Sequence, residues 1–232
     1  MDYSDTTVII PTLNEEKNIG KLLELIEKNC PKIYVIVSDD GSKDMTQQIV
    51  RKKSAKNRRI FLLDRSSKKI KGLTASVIDG AKSCKTDFMV VIDGDLQHPP
   101  EKIPEIVRKL REGFDVVIGK RIKVLGHWAF HRQLMSKTAI LMGKLRLLLK
   151  GMWVNDVVSG FFGTRTELFK KVVSESENKF EPKGYKVLFD YLKNTKGKIR
   201  IGYVDYIFGL RKGGTSKISK THIWLYFKSM FK

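Results

Sequence analysis

The chain is poor in several things that would each have suggested a function. It holds only two cysteines, Cys30 and Cys84, so a disulfide framework and a cysteine-built zinc site are both excluded. Its four histidines, His98, His127, His131 and His222, show no metal-ligand spacing, and none is given a catalytic role. Acidic residues are outnumbered, 25 Asp and Glu against 45 Lys and Arg, for a net charge of +20 and a pI near 9.9. That excess points to a polyanionic partner: nucleic acid, an anionic membrane or a phosphorylated substrate. No apolar run reaches the ~20 residues of a bilayer-spanning helix. The nearest, Leu134 to Leu149, is broken by Lys137, Lys144 and Arg146. Met1 to Asp5 is polar and acidic, unlike a secretory signal, so a cytoplasmic, reducing location is expected. Repeats and low-complexity linkers are also missing. What remains is 232 residues, 41% hydrophobic and 30% charged, which suits a single ordinary domain with a real core.

Short β-branched runs alternate with helical stretches. Strands are expected at Thr7 to Ile10 (stopped by Pro11), Ile33 to Val37, Arg59 to Leu63, Phe88 to Ile92 and Asp115 to Ile118. Helices are expected from a cap at Thr12 or Asn14 to about Cys30, from Asp44 to about Ser54, and over Leu73 to Ser83 and Pro99 to Arg111. This alternation implies a doubly wound, mostly parallel α/β sheet, whose ligands sit at the carboxyl ends of the strands. Further on, about 133–150 and 220–232 read as amphipathic helices. Trp224, Tyr226 and Phe227 stand among Lys220, Lys228 and Lys232, which fits either core packing or a place in a membrane interface.

The loops at the strand ends carry the chemistry. Asp93-Gly94-Asp95-Leu96-Gln97 follows an apolar strand and offers hard oxygen ligands suited to Mg²⁺ or Mn²⁺; the plainer reading is a polar turn. Val8 to Glu15 and Asp39-Asp40-Gly41-Ser42 end the first two strands, where carboxylates can accept from base N–H groups or ribose hydroxyls, or simply build turns. Arg121, Arg132 and Arg211 have forks matched to phosphate oxygens. Phe208 to Lys217 is a Gly-rich basic segment able to close over a diphosphate, and Asp156 to Phe162 is an apolar loop with one carboxylate and one hydroxyl.

Together these motifs resemble the inverting family 2 glycosyltransferases of GT-A fold, and among them the dolichol-phosphate mannose synthases. The match runs through Val8-Ile-Ile-Pro-Thr-Leu-Asn-Glu15, Asp39-Asp-Gly-Ser42, Gly72-Leu73, Asp93 to Glu101, Gly119-Lys-Arg121, Val158-Ser-Gly-Phe-Phe162, Gly184-Tyr-Lys-Val187 and Phe208-Gly-Leu-Arg211. The resemblance implies that Pro11, Leu13, Glu15, Val37 and Asp39 line a guanosine pocket. It implies a metal and sugar-nucleotide site at Asp93, Gly94, Asp95 and Gln97, with Asp95 and Gln97 as the metal ligands. Arg121 and Arg132, with Ser159, would hold the acceptor phosphate; Arg211 and Lys217 would contact the donor diphosphate. Asp93, Asp95, Arg121, Arg132 and Arg211 would carry catalysis. Val157 stands where the family commonly has Pro, and Gly94 where Ala is common.

The implied reaction moves mannose from GDP-mannose to dolichyl or polyprenyl phosphate with inversion, on the cytoplasmic face of a membrane to which the chain is peripherally bound. A membrane-anchoring partner subunit fits the same picture. Two alternatives stand beside it. One is glucosyl transfer from UDP-glucose to the same lipid. The other is a basic nucleic-acid- or membrane-binding protein without catalysis; nucleic acid is disfavoured as partner, because acidic loops stand where a ligand would bind.

Overall fold

A computed structural model describes residues 1–125, 140–210, 220–230 and 232. In chain order the elements are β1 (Thr6–Thr12), α1 (Ile19–Asn29), β2 (Tyr34–Asp39), α2 (Thr46–Lys56), β3 (Ile60–Asp64), α3 (Leu73–Ser83), β4 (Phe88–Val91), α4 (Ile103–Arg111) and β5 (Val116–Val124). There follow α5 (described over 140–148), β6 (Phe162–Arg165), α6 (Thr166–Ser176), α7 (Val187–Asn194), β7 (Ile201–Phe208) and α8 (Lys220–Met230). The strands form one seven-stranded sheet in the order β3-β2-β1-β4-β6-β5-β7. Every pairing is parallel except those of β6, which runs antiparallel to both β4 and β5.

The period-2 alternation of the strands sends successive side chains to opposite faces, and each face has its own core. Val8, Ile10, Val35, Val37 and Val90 pack beneath α1 and α4 through Leu22, Ile26, Ile106 and Leu110. Ile9, Ile36, Met89 and Val91 face the other way, onto Val77 and Ala81 of α3, Phe169 of α6 and Leu188 of α7. Such strands read as continuous apolar runs because both faces are covered.

Two local readings differ from the sequence expectation. β1 continues through Pro11 to Thr12. Its pairing with β4 ends at Ile9–Val91, while Pro11 stays in register with Ser38 of β2, so the missing N–H of Pro11 removes no ladder bond on the β4 side. α1 begins at Ile19, several residues past the expected cap, because Asn14 and the residues after it bond to the neighbouring loop instead of starting a helix.

The amphipathic reading of α8 is half core and half surface. Tyr226, Ser229 and Met230 are buried, and Tyr226 lies edge-on to Phe189 of α7 at 5.1 Å. Lys193 donates to the Ser229 carbonyl at 2.6 Å and to Asp190 Oδ1 at 3.1 Å, and the Ser229 hydroxyl donates to the same carboxylate. That buried polar clamp fixes α8 to α7, while Trp224 on its outer side is 69% exposed. On α5, Leu147 is buried, whereas Leu141, Leu145 and Leu148 stand in solvent. Their spacing places them along one helix face.

Candidate active site

The first wall of the site is made of two loops joined side to side. Asn14, held at φ 52°, donates its backbone N–H to Ser42 Oγ at 2.7 Å, and its side-chain oxygen accepts from Lys43 N at 2.8 Å. Glu15 N donates to Thr46 Oγ1 (2.8 Å), Glu16 N to Asp44 Oδ2 (3.1 Å) and Met45 N to Glu16 Oε2 (3.0 Å). Asn14 is thus spent across the gap, and Asp44 is shared, its Oδ2 reaching the facing loop while its Oδ1 accepts from Thr46 N at the start of α2 (3.0 Å). Asp39 is fully buried at the foot of this wall. Its Oδ1 accepts from Ser42 N (2.8 Å), Gly41 N (3.1 Å) and Gln47 Nε2 (2.8 Å), and its Oδ2 from Thr12 Oγ1 (3.2 Å) and the Ser42 hydroxyl. Pro11 and Val37 are buried in the core below, Glu15 is nearly so, and Leu13 reaches solvent.

Behind the wall lies Arg65, which the sequence reading did not single out. It is 1% exposed and donates to Asp40, to Asp79 Oδ2 at 2.9 Å, to Ser76 Oγ at 2.8 Å and to the Ile70 carbonyl at 3.0 Å. One guanidinium therefore ties the ends of β2 and β3 to α3. Burial raises the Asp40 carboxyl above its usual range, against the opposing pull of Arg65. The only signal in the sequence was the second Asp of Asp39-Asp40-Gly41-Ser42, a buried charge that requires a partner.

The central wall is the turn after β4. Asp95 is buried and its Oδ1 accepts from the backbone Gln97 N at 3.1 Å. Gln97 pairs twice with the segment after β7: its Nε2 donates to the Gly209 carbonyl (3.0 Å), and Gly209 N donates to the Gln97 carbonyl (2.8 Å). The amide nitrogen is thereby committed, and Oε1 is the side chain's remaining acceptor. A carboxylate and an amide oxygen two residues apart on one turn are hard donors that fit Mg²⁺ or Mn²⁺. Among the described residues, no group of three or more His, Cys, Asp or Glu is placed to enclose a metal. Such a pair therefore suits an ion that takes its other ligands from water and substrate phosphates.

His98 sits under this turn as a neutral ring. Its Nδ1 accepts from Asp93 N at 3.4 Å, and the imidazole lies 5.5 Å from Phe161, 5.7 Å from Tyr206 and 5.2 Å from Phe208. Burial pushes its pKa down to about 4, despite the nearby Asp95 carboxylate.

The third wall joins residues far apart in sequence. Arg121, at the outer part of β5, donates from Nε to Asp156 Oδ2 (2.7 Å) and from Nη2 to Asp156 Oδ1 (2.8 Å), a bidentate pair with both side chains largely buried. Burial works against the Arg121 charge, but the Asp156 hydrogen bonds outweigh it and raise its pKa. The loop carrying Asp156 also brings Gly160 against Asp93. A Cβ at residue 160 would lie 2.8 Å from Asp93 Oδ2, so only glycine allows this approach. Ser159 is buried, and its hydroxyl closes the turn by donating to the Phe161 carbonyl (3.1 Å) and accepting from Phe161 N (3.2 Å). Lys186, present in the sequence reading only as part of Gly184-Tyr-Lys-Val187, donates to the Val158 carbonyl at 2.9 Å.

The strand ends thus gather Leu13, Glu15, Asp39, Asp93, Gly94, Asp95, Gln97, Arg121 and Ser159 on one edge of the sheet. Arg132, Arg211 and Lys217 lie outside the described residues.

Comparisons with known proteins give the family and the fold. The model of the family described as "Glycosyl transferase family 2" matches residues 7–173. A dolichol-phosphate mannosyltransferase of Pyrococcus furiosus is 36% identical over 97% of this chain, and the chain spans 62% of that relative's length. A polyprenol monophosphomannose synthase of Mycolicibacterium smegmatis is 28% identical over 98% of this chain and 84% of its own. Among solved structures, glucosyl-3-phosphoglycerate synthase from Mycobacterium tuberculosis, in complex with Mn²⁺, UDP and glucosyl-3-phosphoglycerate, superposes with a TM-score of 0.66 at 20% identity. It covers 97% of this chain and 80% of its own. That likeness speaks for the fold, the GT-A arrangement, and the chain belongs to glycosyl transferase family 2.

Proposed function

We propose that the chain transfers mannose from GDP-mannose to dolichyl or another polyprenyl phosphate with inversion, releasing GDP. The observation that carries this reading is the meeting of Asp93, Asp95 and Gln97 with the Arg121–Asp156 pair at one sheet edge: a donor set for a nucleotide diphosphate beside a guanidinium fork fitted to phosphate. The names of the similar mannosyltransferases support the choice of sugar and lipid.

The acceptor is a phosphate monoester, ionised at neutral pH because its second pKa is about 6. It needs orientation more than deprotonation. Arg121, with Arg132 and the Ser159 loop, holds its oxygens for in-line attack on the anomeric carbon. The wall of Leu13, Glu15 and Asp39, floored by Pro11 and Val37, receives the guanosine. Asp95 and Gln97 would hold Mg²⁺ or Mn²⁺, which when bound neutralises charge on the departing diphosphate. Arg211 and Lys217 complete that neutralisation from the segment that begins at Gly209.

The lipid acceptor implies a place at a membrane. Among the described residues no helix is long and apolar enough to cross one. The exposed Leu141, Leu145 and Leu148 of α5, with Trp153 and Trp224 and the surrounding lysines, support peripheral binding to the cytoplasmic face, where each Lys or Arg near anionic lipid contributes about 1 kcal/mol. Loss of co-sedimentation with anionic liposomes when those three leucines are changed to serine is the expected result.

The deciding experiment is transfer in mixed micelles of dolichyl phosphate with labelled GDP-mannose or UDP-glucose, with and without EDTA. Metal-dependent label in the lipid phase from GDP-mannose alone supports the reading. Transfer from UDP-glucose alone keeps the chemistry and overturns the sugar. No transfer from either overturns the enzyme reading for the isolated chain.

A further inference from the structure

The reading above gives Arg121 to the acceptor phosphate and leaves its neighbour Lys186 without a role. Lys186 directly precedes α7. Its ammonium donates to the Val158 carbonyl at 2.9 Å, packs 4.2 Å from the Tyr185 ring, and lies within electrostatic reach of Arg121, Asp156 and Asp93. Three stretches separated in sequence, around Arg121, Asp156 and Lys186, therefore bring two cations within reach of two carboxylates, Asp156 and Asp93. Burial, and then the Arg121 charge, push the Lys186 pKa down to about 7. A neutral amide would also supply a donor to the Val158 carbonyl, without the desolvation cost of a buried ammonium, so that bond alone does not account for the charge.

We propose that Lys186 is a further cation of the acceptor-phosphate subsite, beside Arg121. Before the acceptor binds, Asp156 fills the Arg121 fork with both of its oxygens. A phosphate monoester entering that fork carries −1.5 to −2 of charge and meets Asp156 as a like charge. Lys186, bonded to the same loop through Val158, supplies the balancing positive charge and has two N–H donors beyond the one on Val158. The division of labour suits the side chains: the planar guanidinium orients, and the ammonium acts as an adaptable point charge. The inference rests on the reading that the acceptor is a phosphate monoester.

The test separates charge from tether. Lys186→Gln keeps an N–H donor for the Val158 carbonyl and loses the charge; Lys186→Arg keeps both. A short prenyl phosphate in neutral detergent micelles is titrated into wild type and both variants by calorimetry, with GDP titrated in parallel. The expected result is about tenfold weaker prenyl-phosphate binding by Lys186→Gln, recovery to within about threefold in Lys186→Arg, and GDP binding unchanged in both. Wild-type affinity for prenyl phosphate in Lys186→Gln overturns the proposal, as does a parallel loss of GDP affinity, which marks a general structural support. A wild-type chain that fails to bind prenyl phosphate overturns it too. Lys186-dependent binding in a chain that transfers no sugar contradicts the transferase reading and leaves Lys186 assigned.

Discussion

The two flanks of the site hold their carboxylates in opposite ways. On the β1–β2 flank, Asp39 accepts from neutral N–H and O–H groups of Thr12, Gly41, Ser42 and Gln47, and the adjoining loops bond to each other before any ligand arrives. On the β5–β6 flank, both oxygens of Asp156 accept from one guanidinium 35 residues away, with an ammonium close by. Neutral donors distributed around a carboxylate fix a shape. A charge pair can exchange, because a phosphate satisfies the same fork that a carboxylate does. The first flank is built as a mould and the second as a clamp.

Substitutions can sharpen or break that contrast. The largest effect is expected at the seam between the flanks: Asp95→Ala should lower transfer 10²- to 10³-fold, about 2.7–4 kcal/mol of barrier, with its melting curve little changed. Turnover near wild type would remove the metal assignment. On the clamp side, Asp156→Ala strands a largely buried Arg121 and should lower the unfolding free energy in urea by about 3 kcal/mol. Under both flanks lies His98, whose folded pKa of about 4 is below the ordinary 6.5. Between those values the unfolded chain binds the extra proton, so folding stability should rise from pH 4 to pH 6.5 by roughly 3 kcal/mol. His98→Phe, which keeps the ring contacts, should flatten that segment of the pH–stability curve; an unchanged curve would assign the acid sensitivity elsewhere. The smallest effect belongs to the mould: Asp39→Asn keeps one oxygen for the three N–H donors and turns its amide nitrogen to two hydroxyls that can rotate to accept, and should cost about 1–2 kcal/mol. A cost above that of Asp156→Ala would erase the distinction between mould and clamp.

The first half of this fold was legible from the sequence because its signals are local. Val8 to Ile10 and Phe88 to Val91 announce buried strands by composition, and α3 covers Leu73–Ser83 as its pattern implied. Helix starts were less legible: the side chains of Asn14 and Asp44 bond to the facing loop, and no local rule reports a partner 28 or 29 residues away. The second half is held by longer contacts still. β6 is a four-residue strand, Phe162–Arg165, whose existence depends on the two neighbours it joins. Asp156 was visible as a lone carboxylate in an apolar loop, but its pairing with Arg121 was not. Lys186 was one lysine among many in a chain of net charge +20, and only its position against Val158 distinguishes it.

The reversed direction of β6 has a consequence for where the chain tolerates change. Because β6 opposes β4 and β5, its amino end lies level with the carboxyl end of β4, and β5 runs on past it toward Arg121: Phe162 is in register with Val91 and with Ile118. The residues entering β6 therefore arrive at the reactive rim, while Arg165, opposite Phe88, leaves at the far rim. A loop that in an all-parallel sheet would lie on the back is delivered to the front. Lengthening the chain by a few residues at Gly197, in the exposed turn that enters β7 at the far rim, should be tolerated, whereas the same insertion between Asp156 and Gly160 would part Arg121 from its carboxylate. A transposon scan of insertions along the chain would display that polarity as silence at the far rim and loss at the reactive one.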